Sequence, residues 1–439
     1  MTQSPTPTAA EQPPSRDHGK LSEIQVLRGI SIVSVLLFHL SITPSLLEKS
    51  PSKITMSLFL GVEIFFIISG YVIANSLFRD QFSGARFFIK RAFRLLPAIL
   101  VFFVLSFGLN AYFRHSDYSD DAKALFSVSN REFFKQSLAV LGGYFVLRQG
   151  PASYCNGAMW SLSVEDQFYA ALTVLCLASG CLRSYRSKLA GPIAWAASGL
   201  VYLLAMAVRI GVLLRLQVEN WAPDWLMYLT HRRFDFLALG IVLAFAEPGI
   251  RNKVRDWFRE TGQFIAPFLL LLPFGLAALA EEVNYPTAAP ILHGFVLPLT
   301  GICFGLLVLL AANGLAFPAT RGPIHRAFVF LGDRSYTIYV FHFLAFALAW
   351  IVIYRFCPSV FANGIAYGCC QAAFSFAIML PLCELIYKTV ELPMARLGRR
   401  LAGSMGGPTS NEAVSTLAID RQGIQPVLPA EQRVRGKAA

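Results

Sequence analysis

The chain has 439 residues, of which 55% are hydrophobic and only 15% charged, with a positive mean hydropathy; a composition that apolar excludes a domain wetted on all sides. The net charge of +12 is not a nucleic-acid signature, because Lys and Arg gather in short loops and in the tail, where they orient a chain in a bilayer. Eight Cys are scattered without any C-x-x-C pairing, which argues against a structural metal site.

Residues 1–20 are polar and Pro-rich with no apolar run, so they read as a disordered lead and not a cleavable signal. Apolar runs long enough for about 30 Å of hydrocarbon at 1.5 Å per residue then predict spans at 24–43, 55–78, 93–113, 161–180 and 190–215. Five more are predicted at 229–246, 263–280, 290–313, 329–354 and 364–387. The segment 136–148 is short and Gly-broken, hence re-entrant or interfacial. The expected fold is all-α, a polytopic integral membrane protein of about ten transmembrane helices.

The loops alternate in character. Arg79–Arg94, Arg183–Lys188, Arg251–Arg259, Arg321–Arg326 and the tail from Lys388 are basic, whereas Asp117, Asp120, Asp121, Glu219, Asp224, Glu281 and Glu282 mark the opposite set. Lys and Arg favour the cytoplasmic side, so both termini are expected there, in an inner (plasma) membrane. Residues 21–397 form the expected membrane domain. Residues 398–439 read as a disordered tail with no further folded domain.

Ionisable groups inside a span cost roughly 2.5–3.5 kcal/mol on insertion scales and default to being functional or paired. Arg28 and His39 are eleven residues apart, so at about 100° per residue they share one helix face some 16 Å apart; snorkelling of Arg28 and a satisfied helix-end His39 is the alternative. Glu63 lies within FLGVEIFFIISGY, with His39 a partner at similar depth, and Ser69 with Gly70 could simply be a packing notch. RFFIKRAFRLLP gathers Arg86, Lys90, Arg91 and Arg94 at the inner face, suited to phosphate groups or to anionic lipid.

In WSLSVEDQFY, Trp160 sits at the outer interface and Glu165 and Asp166 at the mouth of a span. Rings that stack and carboxylates that accept hydroxyl protons suit a sugar, although helix N-terminal acids with an aromatic belt would look the same. Arg232, Arg233 and Asp235 open another span, where Arg233 and Asp235 could be a structural pair. His342 lies too deep for snorkelling. Glu384, Lys388 and Glu391, at i, i+4 and i+7, read as an ion-pair stripe.

Taken in order, Arg28 and His39, GVEIFFIISG at 61–70, KRAFR at 90–94, WSLSVEDQFY at 160–169, RRFDFLALG at 232–240, and LGDRSYTIYVFHF at 331–343 followed by Glu391-Leu-Pro resemble the acyltransferase 3 family of membrane O-acyltransferases. The resemblance runs from about Leu21 to Leu397. It implies transfer of an acyl group, usually acetyl from acetyl-CoA, to a carbohydrate hydroxyl of a cell-surface glycan or glycolipid, with no metal and no nucleic acid. By the same resemblance Arg28 and His39 match an essential pair, Arg91 and Arg94 the inner basic motif, and Glu165 the acid of the WSL motif. Glu63 stands where Asp is commoner and Asp166 where Glu is commoner, which touches geometry and not charge.

On this reading Arg91 and Arg94 hold CoA phosphates, Arg28 guides the pantetheine arm, and His39 deprotonates the acceptor or briefly carries the acetyl. Glu165 positions acceptor hydroxyls from the outside. Glu63, Ser69, Trp160, Arg233, Asp235 and His342 are expected to line or support the site. The competing reading is a proton-coupled transporter or flippase, with His39, Glu63 and His342 as the relay.

Overall fold

The structure, a computed structural model, describes residues 16–42, 52–77, 84–119, 123, 126–141, 159–178, 234–280, 296–317 and 322–405, with a few positions between 196 and 207. Among these residues there is no β-strand. Thirteen α-helices carry the description. In chain order α1 is Arg16–Ile42, α2 Lys53–Ser57, α3 Gly61–Leu77, α4 Gly84–His115, α5 Asn130–Leu141, α6 Met159–Ala178 and α7 Phe234–Phe258. Then follow α8 Gly262–Ala280, α9 Leu297–Ala312, α10 Pro323–Asp333, α11 Ser335–Phe356, α12 Gly364–Ile386 and α13 Leu392–Ser404.

Among the described residues six helical stretches are long and apolar enough to cross a membrane: 22–42, 53–75, 85–115, 262–280, 335–356 and 364–404. The expected span 190–215 falls almost wholly outside the described residues. α5 has 12 residues, about 18 Å of rise, too short to cross; 142–148 are outside the description. The described residues are therefore all-helical, as in an integral membrane protein.

Several boundaries differ from the sequence reading, among them Arg251–Arg259, read as a loop, which is helical as far as Phe258 in α7. Arg79–Arg94, read as a loop, is helical from Gly84 onward, because ARFFIKRAFR holds no breaker and runs straight into the apolar half of α4. Pro97 inside α4 is tolerated as prolines in membrane helices are. The expected span 329–354 is two helices that meet at Arg334, whose guanidinium turns to the Phe330 carbonyl and to Glu384. α1 starts at Arg16, inside the expected lead. At the other end α13 carries helix to Ser404, beyond the expected limit at Leu397, because Gly398 and Ala402 form a buried seam.

α11 is the axis of the bundle: Ser335 to Ala347 is buried without a break. α1, α4 and α12 pack around it, α3 joins α1 to α7, and α8 pairs with α9. Lipid gives apolar side chains little reason to leave it, so close contact of backbones does the work. A Cβ on Gly70 would run into the Leu237 carbonyl oxygen and one on Gly240 into that of Ile67, so α3 and α7 touch backbone to backbone. Gly29 and Gly332 do the same between α1 and α10, against Phe328 and Gln25. This second crossing sets Arg28 beside the α10–α11 break.

Candidate active site

A cleft of about 120 Å³ opens between α1, α3, α4, α6 and α11, and Arg28, Ser69, Arg91, Arg94, Glu165 and Tyr339 are on its wall. Its densest knot is around Glu165. Arg91 Nη2 donates to Glu165 Oε2 at 2.8 Å, Ser69 Oγ to Oε1 at 2.8 Å and the Tyr169 hydroxyl to Oε2 at 3.0 Å. The Arg91 guanidinium also lies 3.4 Å from the Tyr169 ring centroid, a cation–π contact.

This corrects the expectation that Glu165 guards an outer mouth while Arg91 serves a separate inner site. The two are one ion pair, because Glu165 lies in the second turn of α6 and that turn packs at the depth of the second turn of α4. Ser69 is likewise a hydrogen-bond donor. The packing notch of the Ser69-Gly70 pair belongs to Gly70 alone.

Arg28 and Arg94 differ from Arg91. Among the described residues neither has a carboxylate within ion-pair distance; Arg28 reaches only Gln25 Oε1, at 3.4 Å. Their charges act on each other, with Glu391, Asp333 and Glu165 as the compensating field around Arg28. Burial pushes the Asp333 carboxyl above its ordinary range, and Arg28 and Arg334 draw it partly back. Two facing guanidinium groups on a cleft wall form a natural anion site.

The stripe expected of Glu384, Lys388 and Glu391 is only half formed. Lys388 Nζ meets Glu384 Oε1 at 2.8 Å, and Glu384 also holds Arg334. Glu391 turns inward and accepts from the Thr337 hydroxyl. The cause is a π-helical turn over Tyr387–Glu391, whose extra residue rotates everything after it.

His39, near the end of α1, meets His342 of α11. His342 Nε2 lies 3.2 Å from His39 Nδ1, and His342 Nδ1 lies 2.7 Å from the Tyr339 carbonyl oxygen. A carbonyl only accepts, so the neutral His342 ring carries its proton on Nδ1 and accepts at Nε2. His39 then donates from Nδ1, and its Nε2 keeps the lone pair that a general base needs. The side chain of Phe343 packs against both rings.

Tyr339, which the sequence reading passed over, links the two regions. Its hydroxyl pairs with Ser161 Oγ at 2.6 Å on the cleft wall, while its carbonyl orients His342. An alternation of Tyr336, Tyr339 and His342 at three-residue steps was the available signal. Trp160 sits edge-on to Phe66 with centroids 6.3 Å apart, beside the cleft. Glu63 and Asp235 are buried on α3 and α7; Arg233 lies outside the described residues. Among the described residues no three His, Cys, Asp or Glu side chains converge as metal ligands would.

Residues 21–384 match the family model described as an acyltransferase domain. Relatives include a Staphylococcus aureus protein whose name gives O-acetyltransferase as a provisional assignment, 24% identical over 394 residues, covering 85% of this chain and 57% of that one. A Bacillus subtilis protein, provisionally named a peptidoglycan O-acetyltransferase, is 25% identical over 356 residues, covering 76% and 50%. The peptidoglycan O-acetyltransferase of Listeria monocytogenes is 24% identical over 393 residues, covering 85% and 56%. The chain thus spans little more than half the length of the curated relatives it matches. No solved structure matches it.

Proposed function

The chain belongs to the acyltransferase family, and we propose that it is a membrane O-acyltransferase that moves an acetyl group from acetyl-CoA to the hydroxyl of a carbohydrate, a surface glycan or glycolipid. The observation that carries the reading is the hydrogen-bonded order from the Tyr339 carbonyl through His342 to His39. It leaves a base at His39 Nε2, further along α1 from a cleft whose Arg28 and Arg94 have no ion-pair partner among the described residues.

Arg28 and Arg94 take the donor's phosphates, as paired guanidinium groups do. Arg91 is held by Glu165 and shapes the cleft floor. His39 Nε2 removes the acceptor hydroxyl proton, the oxygen attacks the thioester carbonyl, and the Ser161–Tyr339 hydroxyl pair faces the tetrahedral oxyanion. Collapse forms the ester and expels the CoA thiolate, which takes the proton back from His39. Atoms and charge balance without any further reactant.

The basic helix ends belong on the cytoplasmic side of an inner, plasma membrane by the Lys and Arg rule, with about ten spans in the whole chain and both termini inside. Acetyl-CoA then reaches the cations from the cytoplasm. The names of the Bacillus and Listeria relatives favour peptidoglycan as the first acceptor to try.

The test is transfer of radiolabelled acetyl from acetyl-CoA in membranes that contain the wild type or His39→Ala, followed by fractionation of glycan and lipid. Label in a carbohydrate fraction with the wild type alone is the expected result. Equal labelling by both proteins would remove His39 from the chemistry, and no label from several acyl-CoAs would remove the reading.

A further inference from the structure

The inward face of α12 carries polar groups that neither the cleft nor the histidine pair uses. Tyr367, Gln371 and Ser375 fall at four-residue steps and are 0%, 1% and 0% exposed. Gln371 Nε2 donates to the Phe346 carbonyl at 2.9 Å and reaches Ser375 Oγ at 3.5 Å. Its amide oxygen and the Tyr367 hydroxyl are buried and have no partner among the described residues. Further along the same face the residues turn non-polar, with Met379, Cys383 and Ile386.

Register shows where this lane leads. α11 and α12 are consecutive helices joined by the short turn Pro358–Ala362, so they run antiparallel. Two contacts fix the pairing, Gln371 with Phe346 near one end and Glu384 with Arg334 near the other. One turn inward from Gln371 is Ser375, and one turn inward from Phe346 is His342, so Ser375 stands level with His342. The Phe346 ring in turn packs against His342 with centroids 5.5 Å apart. One turn outward is Tyr367, stacked on Phe361 at 5.0 Å. The polar row therefore runs from the bundle end opposite Arg334 and Glu391 to the level of the histidine pair.

An amide oxygen buried in a bundle without a partner is costly, and a Leu would fill the same space without that cost. A hydroxylated ligand answers it: sugar hydroxyls donate to an amide oxygen and both donate to and accept from a phenol. Resting on the acyltransferase reading, we infer that Tyr367, Gln371 and Ser375 of α12 form the acceptor subsite, which guides a carbohydrate hydroxyl to His39 from the end opposite the cationic cleft. The site is then two-sided, with donor phosphates at one end, acceptor hydroxyls at the other and the imidazoles between them.

The test uses the full chain in lipid nanodiscs, with acetyl-CoA and soluble peptidoglycan fragments released by a muramidase. Gln371→Leu is expected to raise the KM for the fragments about tenfold, the effect of losing one ligand hydrogen bond, and to lower the ratio of transfer to acetyl-CoA hydrolysis by a similar factor. The isosteric Tyr367→Phe should move both in the same direction. Transfer and hydrolysis falling together, or an unchanged KM, overturns the subsite. Binding is read separately: fragments should raise the melting temperature of the wild type and not of Gln371→Leu, and equal shifts, or none, overturn the subsite. Absence of transfer by the wild type with a Gln371-dependent shift would instead discard the acetylation chemistry and keep the carbohydrate site.

Discussion

His342 hands its Nε2 lone pair to His39 Nδ1 across 3.2 Å, and it can do so because its own Nδ1 is occupied by the Tyr339 carbonyl 2.7 Å away. The Tyr339 carbonyl thus sets the tautomer of His342, which with the Val35 backbone holds the His39 ring.

Replacement of His342 by Phe keeps the ring volume and removes the side-chain acceptor facing His39 Nδ1, so the His39 imidazole is held less firmly in the orientation a base needs. The expected result is a fall in kcat of about 100-fold, the low end for general-base catalysis, with little change in the KM for acetyl-CoA. His342→Gln supplies an amide oxygen near the same place and should recover part of the loss. Steady-state kinetics of both variants decide it; equal loss in the two would mean that His342 only fills space.

Arg91 and Glu165 are mostly buried, with side chains 22% and 15% exposed. Glu165→Ala strands a guanidinium beside Tyr169 and should cost about 3 kcal/mol, as single truncations of buried pairs do. The double change Arg91→Met with Glu165→Leu should be more stable than Glu165→Ala alone, read as the melting temperature in detergent. Additive losses would show that the pair is not coupled.

Arg94 lines the cleft and has no ion-pair partner among the described residues. Arg94→Gln should raise the KM for acetyl-CoA about tenfold, equivalent to roughly 1.4 kcal/mol, and leave kcat nearly unchanged. Arg91→Gln should act on stability first. A larger KM effect at Arg91 than at Arg94 would reverse the two roles.

The α3–α7 crossing gives a packing test. Gly70→Ala and Gly240→Ala each push a methyl group into a facing carbonyl, so each should lower the melting temperature. The double variant should be less destabilised than the sum, because one separation of the helices relieves both clashes.

Glu23 accepts from the backbone N–H groups of Ala316 at 2.9 Å and Phe317 at 3.2 Å, and so ties the start of α1 to the segment after α9. Glu23→Ala removes the acceptor shared by both amides and should lower the melting temperature, by the equivalent of about 1–3 kcal/mol for one buried donor that loses its partner. A melting temperature equal to that of the wild type would show that the amides find other partners.

The apolar runs were legible because hydrocarbon thickness and helix rise leave little choice of length, and α8 lies at the residues the sequence reading predicts, within one position. The shared face of Arg28 and His39 was legible because both lie on one uninterrupted helix. What was illegible depends on how helices meet. Arg91 and Glu165 are 74 residues apart and His39 and His342 are 303 apart, and no periodicity within one helix predicts such pairs. Glu23 was passed over for a related reason, since its partners are backbone amides that leave no mark on composition. Glu391 was misplaced because spacing rules assume a constant twist, and the turn before it breaks that rule.

That break, at Tyr387–Glu391, works as a phase shifter. One surplus residue in the turn lets Lys388 face outward to Glu384 and Glu391 face inward to Thr337, two orientations that an unbroken α-helix would not combine at this spacing. The register of everything downstream, including the Gly398 face that receives Phe93 of α4, hangs on that surplus. Winding these residues into a regular α-helix with the surplus residue kept would rotate α13 by about 100°, carrying Gly398 away from Phe93 and Glu391 away from Thr337 together.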